Sequence, residues 1–222
     1  MDLDFLSFLD SLPSSTSTKS YTNDFWDALQ SANGANTMGN IILVGDFTDQ
    51  LKSAGNNNKG LKYAGATKNL GGEGYTVTCQ NESFTGSVPI YWLPWLKNET
   101  VYAERAWFEK SKCEYFVTSA LSGCRFVLTP QHVIHIAAEV CHAGGKDGAQ
   151  NEITKGDPRA RKMSVSINAS NEQGYGNYRE RTERGLGLVF GMRRDGIWTY
   201  KALKYTLGST GGTWETMICG AG

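Results

Sequence analysis

A sheet-dominated α+β fold is predicted for this chain: two packed mixed β-sheets forming a sandwich core, flanked by a few helices and long loops. Three features point to it. From Asn40 onward the sequence runs in short β-branched and aromatic stretches punctuated by Gly, Asn and Pro, the texture of many short strands. The two helices that apolar spacing predicts both fall within the first 34 residues. Near the carboxy terminus two long apolar runs are joined by Asp195-Gly196, a dipeptide suited to tight hairpin turns.

Taken in order, Phe5, Phe8, Leu9 and Leu12 recur at helical spacing up to Pro13 and predict a short amphipathic helix, followed by a Ser/Thr-rich arm. A second helix is capped by Asn23 or Asp24, turns Phe25, Trp26 and Leu29 inward and ends at Gly34. Strands are predicted at Ile41 to Val44, Tyr75 to Cys79, Val88 to Trp92, Tyr115 to Ser119, Arg125 to Leu128 and Val133 to Ala137. The hairpin pairs Leu186 to Arg193 with Ile197 to Leu207, and Trp214 to Cys219 adds a last strand. Two polar stretches, Ala143 to Lys162 and Asn168 to Gly185, read as long loops, which are uncommon unless functional or disordered.

No linker divides the 222 residues, so one domain is expected over 1–222, with an arm at 1–20 and a catalytic core at about 40–219. Lys plus Arg and Asp plus Glu are 22 each, a balance that disfavours nucleic acid or an anionic membrane as direct partner. Met1-Asp2-Leu3-Asp4-Phe5 is acidic where a secretory signal is basic, and no apolar run is long enough to span a bilayer. A soluble chain is expected. Its five cysteines, Cys79, Cys113, Cys124, Cys141 and Cys219, are odd in number and lack a Cys-x-x-Cys pair, which argues against a disulfide framework or a zinc site. All but Cys124 are expected to be packing residues.

Cys124 is different because it closes the segment Thr118-Ser119-Ala120-Leu121-Ser122-Gly123-Cys124, and His135 follows eleven residues later on an apolar strand. A thiol at its ordinary pKa of about 8.5 is mostly protonated at neutral pH, and a neighbouring imidazolium brings it to roughly 3.5 to 7.5. His135 is the expected partner. Strand alternation puts it on the face of Val133, opposite His132, Ile134 and Ile136, and His132 follows Pro130 at a turn. Gly123 lets the backbone turn so that amide N–H groups from Ser122 to Cys124 can face an oxyanion. The group orienting the imidazole is Thr118, six residues before the cysteine, or a backbone carbonyl. The competing reading of Cys124 is a buried structural thiol.

Leu121-Ser122-Gly123-Cys124 followed by a strand histidine resembles the catalytic core of the Burkholderia lethal factor and cytotoxic necrotizing factor family of glutamine deamidase toxins. The likeness extends to Tyr91-Trp92-Leu93-Pro94-Trp95, Tyr115-Phe116-Val117-Thr118, Val133-Ile134-His135-Ile136 and Ala202-Leu203-Lys204-Tyr205-Thr206-Leu207, spanning roughly Pro89 to Leu207. The loops between these motifs share little with the family, so the target does not carry over.

The resemblance implies deamidation of a protein glutamine. The Cys124 thiolate attacks the side-chain carboxamide, backbone N–H groups hold the oxyanion, His135 protonates the departing ammonia, and water hydrolyses the thioester. No metal or organic cofactor is required. The resemblance further implies an effector made in a bacterial cytoplasm and delivered to the host cytosol; separately, a monomer is expected. The family acts on Rho-type GTPases or on a translation-initiation RNA helicase, and the host partner expected here is one of these or neither. Transglutamination and peptide hydrolysis use the same dyad, and a non-catalytic β-sandwich binder leaves the thiol inert. Because thiol, imidazole and oxyanion donors are generic, target selection falls to the polar stretches, where Arg179, Arg181 and Arg184 accompany Tyr175 and Tyr178.

Overall fold

The computed structural model describes residues 21–35, 38–39, 41–45, 59–69, 74–111, 113–121, 123–164, 185–206 and 212–217. The helix expected at Phe5 to Leu12, the arm through residue 20, and Ser122, Arg179, Arg181, Arg184 and Cys219 lie outside the described residues.

The fold is mixed α+β with two packed sheets and few helices. The first helix, α1 (Thr22–Ser31), buries Phe25, Trp26 and Leu29. It starts before Asn23, and neither Asn23 nor Asp24 caps it. Thr22 instead donates its hydroxyl to the Gly86 carbonyl at 2.6 Å and accepts from the Ala66 N–H at 3.0 Å, so a tertiary contact fixes this end. The chain leaves the helix at Ala32, ahead of Gly34.

The larger sheet is mixed, in the order β1 (Gly34–Ala35), β13 (Gly212–Met217), β12 (Ile197–Thr206), β11 (Gly185–Arg194), β7 (Tyr115–Thr118), β5 (Val88–Leu93), β3 (Gly60–Lys68), β4 (Tyr75–Gln80) and β2 (Ile41–Gly45). The pairs β5 with β7 and β2 with β4 are parallel. The smaller sheet, β10 (Arg161–Ser164), β8 (Arg125–Leu128), β9 (His132–Ile136) and β6 (Thr100–Glu104), is antiparallel throughout. The hairpin β11–β12 turns at Asp195 and Gly196, whose φ angles of 50° and 78° are those of a primed two-residue turn.

Three apolar clusters order the layers. Phe25, Trp26 and Leu29 of α1 pack on one face of the larger sheet, with Ile90, Trp92, Tyr115, Val117 and Phe190. Trp26 stacks on Tyr115 at 4.3 Å. The opposite face contributes Tyr91, Leu93, Phe116 and Tyr200 to a core shared with Phe126, Leu128 and Val133 of the smaller sheet. The far side of the smaller sheet packs Val127, Ile134 and Ile136 against Ala149 of a further helix, α3 (Gly145–Thr154). A short α2 (Arg105–Lys110) links β6 towards β7.

Helix α3 corrects the expectation of a loop from Ala143 to Lys162, since the stretch contains it and the first residues of β10. The apolar stripe that would announce a helix is missing, because only Ala149 and Thr154 are buried along it. Among the described side chains of β10 only Met163 is buried, which similarly conceals the strand.

Candidate active site

The parallel strands β5 and β7 end side by side, with Leu93 level with Thr118. From each the chain next reaches the smaller sheet, to β6 from β5 and to β8 from β7. Carboxyl ends of adjacent parallel strands are where an open sheet exposes backbone and loops to a ligand. Here the two exits are laced together. The Leu93 carbonyl accepts the Ser119 N–H at 3.1 Å, and the Ser119 hydroxyl accepts the Trp95 N–H at 2.9 Å. Leu121 then exchanges both backbone hydrogen bonds with Gly187 of β11, at 2.8 and 2.9 Å. Gly123 takes a φ of 78°, a left-handed conformation that costs glycine little, and turns the chain into Cys124 at the mouth of β8.

Cys124 lies in the core between the sheets with Phe126 and Val133, and is 2% exposed. His135 is paired with Phe126 in the ladder, which puts it diagonal to Cys124 on the same side of the smaller sheet. Val133 faces this inter-sheet core, whereas Ile134 and Ile136 face α3. His132 alternates to that outer side and meets the edge of the Tyr102 ring at 5.8 Å. His135 is therefore the histidine in the layer of the thiol.

The Thr118 hydroxyl donates to the Leu93 carbonyl at 2.8 Å and lies 2.9 Å from His135 Nδ1. One hydroxyl proton serves one acceptor, so the oxygen accepts from Nδ1–H and the ring is held as the tautomer with its lone pair on Nε2. The two orienting groups left open by the sequence act in series, the threonine on the ring and the carbonyl on the threonine. His135 Nε2 is buried without a hydrogen-bond partner among the described residues. Such an orphan costs about 1–3 kcal/mol.

Burial lowers the His135 pKa to about 3, so the ring is neutral across the physiological range. This corrects the expectation of a standing imidazolium that depresses the thiol. A neutral imidazole with a vacant Nε2 lone pair can still take the thiol proton as a general base during attack.

On the other flank the neighbours of Cys124 are tied to α3. Lys146 donates to the Gly123 carbonyl at 3.0 Å. The Arg125 guanidinium reaches Asp147 at 2.6 Å and Gln150 at 3.1 Å. That hydrogen bond and the charge of Arg125 hold the Asp147 carboxyl below its usual range. Neither the Leu93 carbonyl nor Lys146 was evident from sequence. A carbonyl carries no residue signature, and Lys146 lies in a Gly-rich run read as loop.

The other cysteines divide. Cys79 and Cys113 are buried, and burial raises both thiols, Cys79 to about 12. Cys141 is exposed, against the expectation that it packs, because it lies in the irregular segment between β9 and α3, outside the core. Among the described residues no group of three or more His, Cys, Asp or Glu side chains could hold a metal ion. No helix among them is long and apolar enough to cross a membrane. No protein-family model matches the chain, and no curated protein matches it.

Proposed function

We propose that the chain is a cysteine hydrolase of carboxamides, and specifically a deamidase of glutamine side chains in a host protein, with Cys124 as nucleophile and His135 as base. The observation that carries this reading is the imidazole. It is buried and neutral, gripped at Nδ1 by Thr118, and without a hydrogen-bond partner at Nε2 among the described residues, in the same core layer as Cys124. A merely structural histidine is expected to satisfy both nitrogens.

In the reaction the neutral ring takes the Cys124 proton as sulfur adds to the carboxamide carbon. The oxyanion forms beside the Gly123 turn, where the Cys124 N–H and its neighbours supply donors. His135, now protonated, gives its proton to the departing ammonia. Water, deprotonated by the same nitrogen, then releases the thioester as glutamate. The low intrinsic basicity of His135 favours the second transfer, because a weak base is a strong conjugate acid. Since Cys124 is nearly covered, the reading requires the side chains above it to part for the substrate.

Incubating a host-cell lysate with wild type and with Cys124→Ser, followed by peptide mass spectrometry, tests the proposal. The expected result is a protein glutamine converted to glutamate only by the wild type. New chain termini in place of deamidation identify a peptidase. An unchanged lysate, with Cys124 alkylated by iodoacetamide more slowly than exposed Cys141, identifies a structural thiol.

A further inference from the structure

We propose that Lys146 is a positioning residue for the oxyanion donor of this site, an inference that rests on Cys124 being the nucleophile. The Gly123 carbonyl, to which the Lys146 ammonium donates at 3.0 Å, belongs to the same planar unit as the Cys124 N–H. In a trans peptide these two groups point in opposite directions, so fixing the oxygen fixes the direction of the N–H. The need for such a clamp is local. A glycine at φ 78° offers little resistance to rotation of the following peptide plane.

The charge adds to the geometry. A hydrogen bond from an ammonium to a carbonyl polarises the amide and strengthens the donor at its other end. Lys146 is itself held in place. Ala149 of the same helix is buried against the smaller sheet, and Asp147 and Gln150 grip Arg125. One helix thus fixes the residues immediately before and after the thiol.

Two reagents separate this role from simple support of the loop. Iodoacetamide alkylates a thiolate by displacement at a saturated carbon, with no oxyanion. With p-nitrophenyl acetate the sulfur adds to the ester carbonyl, the Cys124 proton passes to His135, and an oxyanion forms. Collapse breaks the ester C–O bond, releases p-nitrophenolate and leaves S-acetyl Cys124. Both products are assigned to Cys124 by peptide mass spectrometry. In the full chain, Lys146→Met is expected to slow acetylation about tenfold, below the 10²- to 10³-fold cost of deleting a donor outright. Alkylation stays close to the wild-type rate, and Lys146→Arg recovers most of the acetylation.

A parallel fall of both rates in Lys146→Met, or no change in either, overturns the proposal. If wild-type Cys124 accepts no acetyl group and alkylates more slowly than Cys141, the nucleophile assignment fails, and the role of Lys146 fails with it. A reactive Cys124 with an unchanged ratio of the two rates in Lys146→Met removes only Lys146.

Discussion

On one flank of Cys124 a buried, uncharged chain runs from the Leu93 carbonyl through Thr118 to His135. On the other, Lys146, Asp147 and Gln150 hold Gly123 and Arg125 through contacts that partly face water, Asp147 being 73% exposed. Hydrogen bonds do different work in the two places. Where water is excluded, a lost partner leaves an orphan and the protonation state is fixed by burial. Where water enters, a lost partner is replaced by solvent and salt weakens the charge. The protected flank therefore sets which proton can move, and the wet flank sets the orientation of the backbone beside the thiol.

The largest expected effect follows from the protected flank. Cys124→Ser and His135→Gln should each lower acetylation by p-nitrophenyl acetate by at least about 10²-fold, the usual contribution of a positioned base. Each abolishes the same step, so the double variant should be no worse than the worse single. His132→Ala, on the outer face, should leave the rate close to wild type. A dead His132→Ala beside an active His135→Gln would reverse the assignment of the two strand faces.

Next comes Thr118→Val, which keeps the shape and removes the hydroxyl. Leu93 retains the Ser119 N–H as a donor, but the buried His135 Nδ1–H loses its acceptor. Urea unfolding should show a loss of about 1–3 kcal/mol, and Thr118→Ser should recover most of it. Equal stability of wild type and Thr118→Val would mean that the ring proton is satisfied elsewhere and the tautomer is not set by Thr118.

The buried imidazole also imposes a pH dependence. Its folded pKa, about 3, lies below the ordinary 6.5 of an unfolded histidine, so between these values the unfolded chain binds the extra proton. The stability this histidine contributes is present above pH 6.5 and is lost as pH falls toward 3, at up to about 1.4 kcal/mol per pH unit. Melting temperatures measured across that window should fall more steeply for wild type than for His135→Gln. Parallel curves would place the titrating group outside the core.

Much of this protected flank was legible in the sequence for a physical reason. Strand alternation decides faces, so Val133 and His135 separate from Ile134 and Ile136 without coordinates. Spacing likewise brings a hydroxyl six residues before Cys124 into consideration. The wet flank was not legible. Helix α3 holds Gly145 and Gly148 and buries little, so neither propensity nor periodicity marks it. Its value lies in contacts with Gly123 and Arg125, which depend on how the smaller sheet is covered and on no local pattern. The strand β3 escaped for a related reason, since Gly65 and two lysines interrupt its apolar run. A side chain at Gly65 would displace the Phe84 ring, since a Cβ there would come within 2.8 Å of it.

The smallest effect should come from Asp147→Asn, and it tests whether the wet flank is electrostatic. Arg125 is almost covered whereas Asp147 is largely exposed, so the pair is solvated from one side. Asparagine keeps an oxygen that can accept from Arg125, and Gln150 remains as a second acceptor. The expected loss is within about 1 kcal/mol, the range of solvent-exposed ion pairs. It should shrink on going from low to high salt, because screening removes what the carboxylate adds. The sign with pH is opposite to a gain on acidification. The Asp147 carboxyl is held below its usual range by Arg125, so its contribution is present above the unfolded carboxylate pKa and disappears as pH falls through the folded one. Wild type and Asp147→Asn should therefore converge in melting temperature at strongly acid pH and at high salt. A loss of several kcal/mol that ignores salt would show that Arg125 is a buried charge with one essential partner, and that this flank belongs to the same dry regime as His135.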